Sequence, residues 1–203
     1  MVALGVSLVA VSGVVACQSQ PAADFATPVA VAPSSAPAPV RVPVSDGSPP
    51  TTGADAPVRL SIPALRLDAK VAAVGIDERT GDFAVPPSVD RVGWYRFGPG
   101  FSAPAGSIVV AGHVDSAAEG KGAFFRLGSL EAGDVVTLTG PGGKDRAFEV
   151  TARERYRKTA IPLEKYFARD GEVRLTLITC GGPFDAATKH YRDNVVVTAV
   201  PRA

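Results

Sequence analysis

Short apolar segments, many of them rich in valine and isoleucine, recur from residue 58 onward. Most are short enough for β-strands, and several alternate apolar with polar residues. The predicted strands are 59–63, 70–76, 107–112, 134–139, 146–155, 172–180 and 194–200, with a short aromatic cluster at 92–97. Only 162–168, which has a proline near its first turn, is a candidate helix. About eight short strands with very little helix predict a mainly β fold that forms a closed or nearly closed barrel.

The residues before Val58 have a different composition. Val2 to Ala16 is almost wholly apolar but shorter than the roughly 20 residues that span a bilayer, which favours a signal-peptide core. Val14 to Cys17 resembles the lipobox of bacterial lipoproteins. For residues 1–17 a cleaved signal, a lipoprotein signal and a truncated membrane anchor therefore stay open. Each would place the domain outside the membrane.

Residues 18–57 and 58–203 are predicted to be a spacer and a folded domain. The first segment holds nine of the eighteen prolines and much alanine, a composition that predicts a disordered spacer. The second is long enough for one domain with its own hydrophobic core. The formal net charge of the whole chain is +1, and no basic cluster with interleaved aromatic residues occurs. A nucleic-acid partner is therefore not predicted.

Cys180 is the residue around which candidate chemistry can be built. The chain has two cysteines, and Cys17 lies in a different kind of segment, so Cys180 is predicted to be a free thiol. The predicted strand 172–180 ends at this cysteine, and Gly181 and Gly182 would let the backbone turn sharply and approach a substrate. A buried small hydrophobe and a nucleophile are both consistent with such a cysteine.

Two histidines and one arginine are candidate partners of this thiol. A thiolate needs a positive neighbour, and His113 or His190 could supply an imidazolium and later act as a general acid. Position alone favours His113 only modestly. Arg192 could hold an oxyanion, although it is also one of many arginines. Asp115 and Asp185 are more typical of turn residues than of triad acids or metal ligands, and no metal-ligand spacing occurs, so neither a metal nor a cofactor is predicted.

Three motifs together resemble the sortases, the cysteine transpeptidases of Gram-positive cell walls. Thr176 to Cys180 resembles the family's TLxTC signature, and Ile108 to His113 is similar to the strand that ends on its catalytic histidine. Arg192, ahead of a valine-rich last strand, matches the place of its catalytic arginine. Gly112 to Ser116 and Cys180 to Asp185 are most similar to the class F group of actinobacteria. The resemblance extends from about residue 58 onward.

The resemblance implies a fold, a reaction and roles for individual residues. It implies a single closed eight-stranded barrel that cleaves an LPxTG-type sorting signal between Thr and Gly through a thioester. The acyl chain would pass to an amine of a peptidoglycan precursor, or to water. By matching position it implies Cys180 as nucleophile, His113 as general acid and then base, Arg192 as oxyanion or substrate clamp, and Thr179 and Gly181 in the substrate site. It also implies a monomer, tethered to the membrane through its N-terminus at the cell wall. No acidic cluster suggests the calcium site of some class A members, so calcium dependence is not predicted.

Other functions are compatible with a cysteine and a histidine outside the cell. An L,D-transpeptidase would carry a Ser-x-Gly-Cys motif, which is absent, and a papain-like peptidase would carry its cysteine early in the domain and on a helix. Cys180 is late and on a predicted strand. From a different class, a non-catalytic β-barrel binding module or lipoprotein is the alternative.

Overall fold

Eight strands in the described part of the chain close into a barrel. The computed structural model describes residues 24–26, 53–77 and 83–203. The barrel strands are β1 (Arg59–Ile62), β2 (Leu67–Val74), β3 (Val92–Tyr95), β4 (Ser107–Gly112), β5 (Val135–Thr139), β6 (Asp145–Arg157), β7 (Arg174–Asp185) and β8 (His190–Pro201). Helical structure in the described residues comprises α1 (Leu163–Tyr166) and 3₁₀ turns at Gly53–Asp55, Pro63–Leu65, Leu127–Ser129 and Pro141–Gly143. The mainly β fold and the closed eight-stranded barrel are confirmed.

The strand order places β7 between β4 and β8. Around the barrel the order is β6-β8-β7-β4-β3-β2-β1-β5, and β5 pairs with β6 to close the sheet. Neighbouring strands are antiparallel except for two parallel pairs, β2 with β3 and β4 with β7. Because β4 and β7 are parallel, their carboxyl ends lie at the same edge of the barrel.

Side-chain alternation along the strands divides the core into two clusters. Leu175 and Leu177 of β7 belong to the larger cluster, which fills the barrel interior. Ile178 points the other way and joins a second cluster on the outer face of β4, β7 and β8. The connection between β6 and β7, which includes α1, covers this outer face with Ile161, Tyr166 and Phe167.

β7 does not end where the sequence predicted. It continues past Cys180 to Asp185 and forms a hairpin with β8. The register with β8 slips after Gly181, and Gly182 has a φ of 73°. A Cβ at Gly182 would lie 2.1 Å from Oδ2 of Asp193. The prediction of a strand end at Cys180 is therefore wrong, because the glycine forms an irregularity inside a long strand.

The segments before the barrel are described only in part. The predicted leader, residues 1–17, lies outside the described residues, as does most of the predicted spacer. Within that spacer, Phe25–Ala26 forms a short strand that pairs with Arg153 and Ala152 of β6. The pairing of β6 with β5 ends at Glu149, so the added strand covers an edge that β5 leaves open. No helix in the described residues is long and apolar enough to cross a membrane.

The ordered part of the domain begins slightly before Val58. The carbonyl of Asp55 accepts a hydrogen bond from the Phe101 amide at 2.9 Å, and the Asp55 carboxylate accepts one from the Ser102 amide at 2.9 Å. Pro57 is buried. Residues 53–57 therefore pack against the barrel.

Candidate active site at one edge of β4, β7 and β8

The strand register places Cys180 beside His113. In the parallel ladder of β4 and β7, the last pair is Ile178 with Ala111. The same offset, continued for two residues, matches Cys180 with His113. On the other side, the antiparallel ladder sets Cys180 opposite Asn194 of β8. Neighbouring strands are about 4.8 Å apart, so the thiol lies between these two residues on the outer face of the barrel.

Thr179 of β7 contacts the end of β4 directly before these residues. Its side chain is buried, and its hydroxyl donates a hydrogen bond to the Gly112 carbonyl at 2.8 Å. Because Thr179 precedes Cys180 and Gly112 precedes His113, this bond joins the part of β7 that carries the thiol to the end of β4 that precedes the imidazole. Thr179, which was predicted to help form the substrate site, therefore also bonds to the backbone of β4.

Arg192 lies on the same outer face as the thiol. It is two residues before Asn194, and alternate residues of a strand share a face. Its guanidinium donates to Oδ2 of Asp185 at 3.3 Å. Asp185 also accepts from the amides of Thr188 and Ala187, and these bonds, followed by Arg192, hold the pKa of Asp185 below its ordinary value. The same aspartate therefore shapes the hairpin turn and pairs with Arg192.

The two histidines lie in very different places. His113 is half-buried, and its Nε2 is 2.8 Å from the Pro86 carbonyl oxygen. A carbonyl only accepts, so Nε2 carries a hydrogen and Nδ1 is the nitrogen that remains for proton exchange. His190 is exposed and pairs with Asp185, which lies roughly 17 Å along β7 from Cys180. The strand offset aligns His113 with Cys180, whereas His190 is aligned with Asp185, five residues further along β7.

A cavity of about 290 Å³ opens beside the thiol. Cys180 is a free cysteine of intermediate exposure, and it lies on the cavity wall with Thr179 and Asn194. Most of the remaining lining is apolar, and Lys158 is the one charged residue in it. The apolar wall comprises Phe83, Val85, Ala111, Gly112, Ile161, Leu163, Phe167 and Ile178. The cavity therefore suits an extended, largely uncharged ligand that ends at the thiol.

A hydrogen-bonded cluster fixes one wall of this cavity. The Glu154 carboxylate on β6 accepts bonds from the hydroxyls of Tyr156 at 2.8 Å and Tyr166 at 2.7 Å, and from Lys165 at 3.0 Å. Tyr166 and Lys165 belong to α1, whose Leu163 lines the cavity. The cluster thus anchors α1 to the barrel, and the sequence analysis did not predict it.

The protonation states suit this cluster. Burial raises the pKa of Tyr166, and it raises the pKa of Tyr156 to about 12, so both hydroxyls remain donors at neutral pH. Burial also acts to raise the pKa of Glu154, but hydrogen bonds from Tyr166, Tyr156 and Lys165 outweigh it and lower the pKa overall. The cluster therefore holds one carboxylate with three donors.

Asp115 contacts the hairpin that carries Arg192. Its Oδ2 accepts a hydrogen bond from the Tyr191 hydroxyl at 2.5 Å, and the Phe184 ring packs against Tyr191 with a centroid distance of 5.2 Å. The bond to Asp115 is the main reason that the pKa of Tyr191 is raised, and the charge on Cys180 contributes. Asp115 is therefore a partner of a tyrosine.

Within the described ranges, no group of three or more His, Cys, Asp and Glu side chains could hold a metal ion.

Gly181 lies between the thiol and the irregularity in β7. It pairs with Asp193, and a Cβ at this position would lie 2.7 Å from Cγ2 of Val195. The lack of a side chain at Gly181 thus lets Val195 of β8 approach closely. Its predicted place in the substrate site stays a prediction.

Comparisons with known proteins agree with this architecture. A family model described as a sortase domain matches residues 60–202. A lid mutant of sortase A from Corynebacterium diphtheriae is similar in structure, with a TM-score of 0.54, 18% identity, and coverage of 72% of this chain and 70% of that chain. Sortase C-1 from Actinomyces oris is also similar in structure, with a TM-score of 0.51, 22% identity, and coverage of 72% of this chain and 75% of that chain. Such low identities establish the fold alone, and no curated protein matches this chain.

Proposed function

Because its residues 60–202 match the sortase domain, this chain belongs to the sortase family, and we propose that it is an extracytoplasmic cysteine transpeptidase acting on LPxTG-type sorting signals. The observation that carries the proposal is the register of three adjacent strands. Cys180 lies opposite Asn194 on the strand of Arg192 and at the wall of an apolar cavity. The β4–β7 offset, continued by two residues, aligns Cys180 with His113, which supports the proposal. A nucleophile, a proton carrier and a cation on one face are the groups that acyl transfer needs.

In the first half-reaction, the Cys180 thiolate attacks the carbonyl carbon of Thr in the Thr–Gly peptide bond. The negative charge moves to the carbonyl oxygen, where the Arg192 guanidinium stabilises it. Protonated His113 donates its proton to the departing Gly nitrogen through Nδ1. The C–N bond breaks, and a thioester forms between Thr and Cys180.

In the second half-reaction, an amine of a peptidoglycan precursor attacks the thioester carbonyl. Neutral His113 accepts a proton from the amine, the C–S bond breaks, and the Cys180 thiolate is restored with a new amide as product. Water attacking in place of the amine would release a carboxylic acid. Arg192 is bonded to Asp185 in the structure, so a substrate oxyanion must compete with that carboxylate for the guanidinium.

Two finer features belong to the same proposal. The motifs at Gly112 to Ser116 and Cys180 to Asp185 support a class F-like subtype. The apolar leader at residues 1–17 supports a tether to the cell membrane through the N-terminus, with the barrel at the cell wall as a monomer. Transfer requires no cofactor in this mechanism.

Mass spectrometry of the intact full-length chain tests the proposal. Incubation with an LPxTG peptide is expected to produce an adduct on Cys180 equal to the peptide up to Thr, and Cys180→Ala is expected to abolish both adduct and cleavage. His113→Ala should be inactive, whereas the matched variant His190→Ala should retain most activity. Cleavage by Cys180→Ala would refute the mechanism. The absence of adduct and cleavage across a panel of sorting peptides would favour a binding module.

A further inference from the structure

Two aspartates follow the candidate histidine and cysteine, and they have different partners. Asp185 pairs with Arg192 inside its own hairpin, whereas Asp115 reaches the other side of the site and binds Tyr191. Asp115 is two residues after His113, and Tyr191 is one residue before Arg192. One hydrogen bond therefore joins the segment that carries the imidazole to the segment that carries the guanidinium.

We propose that Asp115 and Tyr191 are positioning residues, whose hydrogen bond sets the separation of His113 and Arg192 around Cys180. The inference rests on the proposed function and deepens it. Neither residue is assigned contact with the reacting atoms. Each acts through the neighbouring residue or residues on its own segment.

The barrel ladders alone do not fix this separation. The pairs between β4 and β7 end at Ala111 and Ile178, two residues before His113 and Cys180. The register of β7 with β8 slips after Gly181, which is also before the level of Arg192. The backbone at His113 thus lies beyond the ladder of β4 with β7, and Arg192 lies at the slip, before pairing resumes at Phe184 with Tyr191. The bond between Asp115 and Tyr191 crosses this region.

Contacts around each residue make the bond an effective brace. The Tyr191 hydroxyl donates to a carboxylate at 2.5 Å, and charge-assisted bonds of this kind are stronger than neutral ones. The Phe184 ring packs on Tyr191 and restricts its movement. On the other segment, the Phe124 amide donates to the His113 carbonyl at 3.0 Å, so the backbone leading to Asp115 is also held.

Catalysis depends steeply on such placement. A displacement of about 1 Å of a reacting group costs up to about a hundredfold in rate. Loss of the brace should therefore lower kcat. KM should change little, because neither Asp115 nor Tyr191 lines the cavity beside the thiol.

Four variants of the full-length chain test the inference. Tyr191→Phe and Asp115→Ala each remove the bond, and we expect kcat for the sorting peptide to fall about tenfold with KM changed by less than about twofold. Asp115→Asn keeps an acceptor oxygen and should retain more activity than Asp115→Ala. The control is Thr139→Val. It removes the 2.7 Å bond from the Thr139 hydroxyl to the carboxylate of Asp145, the first residue of β6, and it should leave kcat unchanged.

Hydrogen exchange supplies a readout that needs no substrate. In Tyr191→Phe and in Asp115→Ala, amides in 113–121 and in 186–192 should exchange faster together, while Thr139→Val leaves both segments unchanged. Unchanged kcat and unchanged exchange in Tyr191→Phe would overturn the brace, as would an equal loss of kcat in Thr139→Val. If the native chain cleaves no peptide, the proposed function fails, and exchange alone then decides whether the two segments are coupled.

Discussion

The cluster around Glu154 allows a quantitative prediction for the wall of the cavity. In Glu154→Ala, the hydroxyls of Tyr166 and Tyr156 lose their carboxylate acceptor, and Lys165 loses its partner. Tyr166 is only 1% exposed, and without Glu154 its hydroxyl keeps the Tyr156 hydroxyl, at 2.9 Å, as its partner. The lost bond is to a charged acceptor, and such bonds contribute about 1.5–3 kcal/mol.

The other two losses are smaller. Tyr156 is half-buried and can reach water in part, and the pair with Lys165 is near the surface, where such pairs contribute about 0–1 kcal/mol. The total is about 3 kcal/mol of unfolding free energy. In a domain of this size each kcal/mol shifts Tm by about 2–4 °C, so Tm should fall by about 6–12 °C.

The position of the loss determines its effect on activity. The cluster holds α1, and Leu163 of α1 lines the cavity, whereas Cys180 lies on a different strand. Loosening α1 should therefore raise KM several-fold and leave kcat nearly unchanged. The measurements are a thermal melt of the full-length chain and steady-state kinetics on a sorting peptide.

A matched control lies on the same strand. Glu149 of β6 has intermediate exposure, and its carboxylate is 3.9 Å from the exposed Arg202, so Glu149→Ala removes a carboxylate without a buried partner. It should lower Tm by no more than about 4 °C. Equal Tm losses in Glu154→Ala and Glu149→Ala would refute the reasoning about burial. A fall in kcat at constant KM in Glu154→Ala would refute the assignment of the cluster to the cavity wall.

Three further outcomes are expected. The donors to Glu154 lower its pKa. The stability that Glu154 contributes is therefore complete above the ordinary glutamate pKa of about 4.3 and is lost as pH falls through the lowered value. The Tm difference between the native chain and Glu154→Gln should shrink towards about pH 3. Thr179→Val removes the bond to Gly112 and should cost about 1 kcal/mol in a denaturant titration, whereas Thr179→Ser keeps the hydroxyl and most of the stability. Gly182→Ala places a Cβ against Asp193 at positive φ and should lower Tm and activity together, since the backbone alone costs about 1–2 kcal/mol; an unchanged Tm would contradict this.

Alternation and composition were sufficient to predict the barrel, because inward and outward positions differ in polarity along most strands. They were not sufficient for β7. Gly181 and Gly182 carry the signature of a turn, yet the strand continues to Asp185. The difference arises from the partner strand, since residues 190–193 extend the hairpin and stabilise the continuation. A local pattern cannot report a pairing partner such as Asp193, which pairs with Gly181 from twelve residues further along the chain.

The candidate site was predictable where chemistry-bearing residues end or begin strands. His113 directly follows β4, and the parallel pairing of β4 with β7, which aligns it with Cys180, is a property of the whole barrel. The Glu154 cluster was not predicted, because its members come from a strand and a helix whose contact depends on the path of the intervening chain. Asp115 and Asp185 were assigned to turns. That interpretation describes part of the role of Asp185, which accepts from two turn amides, but Asp115 bonds to Tyr191.

The register slip after Gly181 also affects the edge of the barrel at which Cys180 lies. A regular ladder would continue to pair β7 with both neighbours and would surround Cys180 with backbone on two sides. Here the β4 ladder ends before the thiol and the β8 register slips directly after it. Side-chain contacts then replace the ladder: Thr179 with Gly112 before the thiol, and Asp115 with Tyr191 beyond it. The edge at Cys180 thus has fewer backbone pairs, while side-chain contacts hold the neighbouring segments.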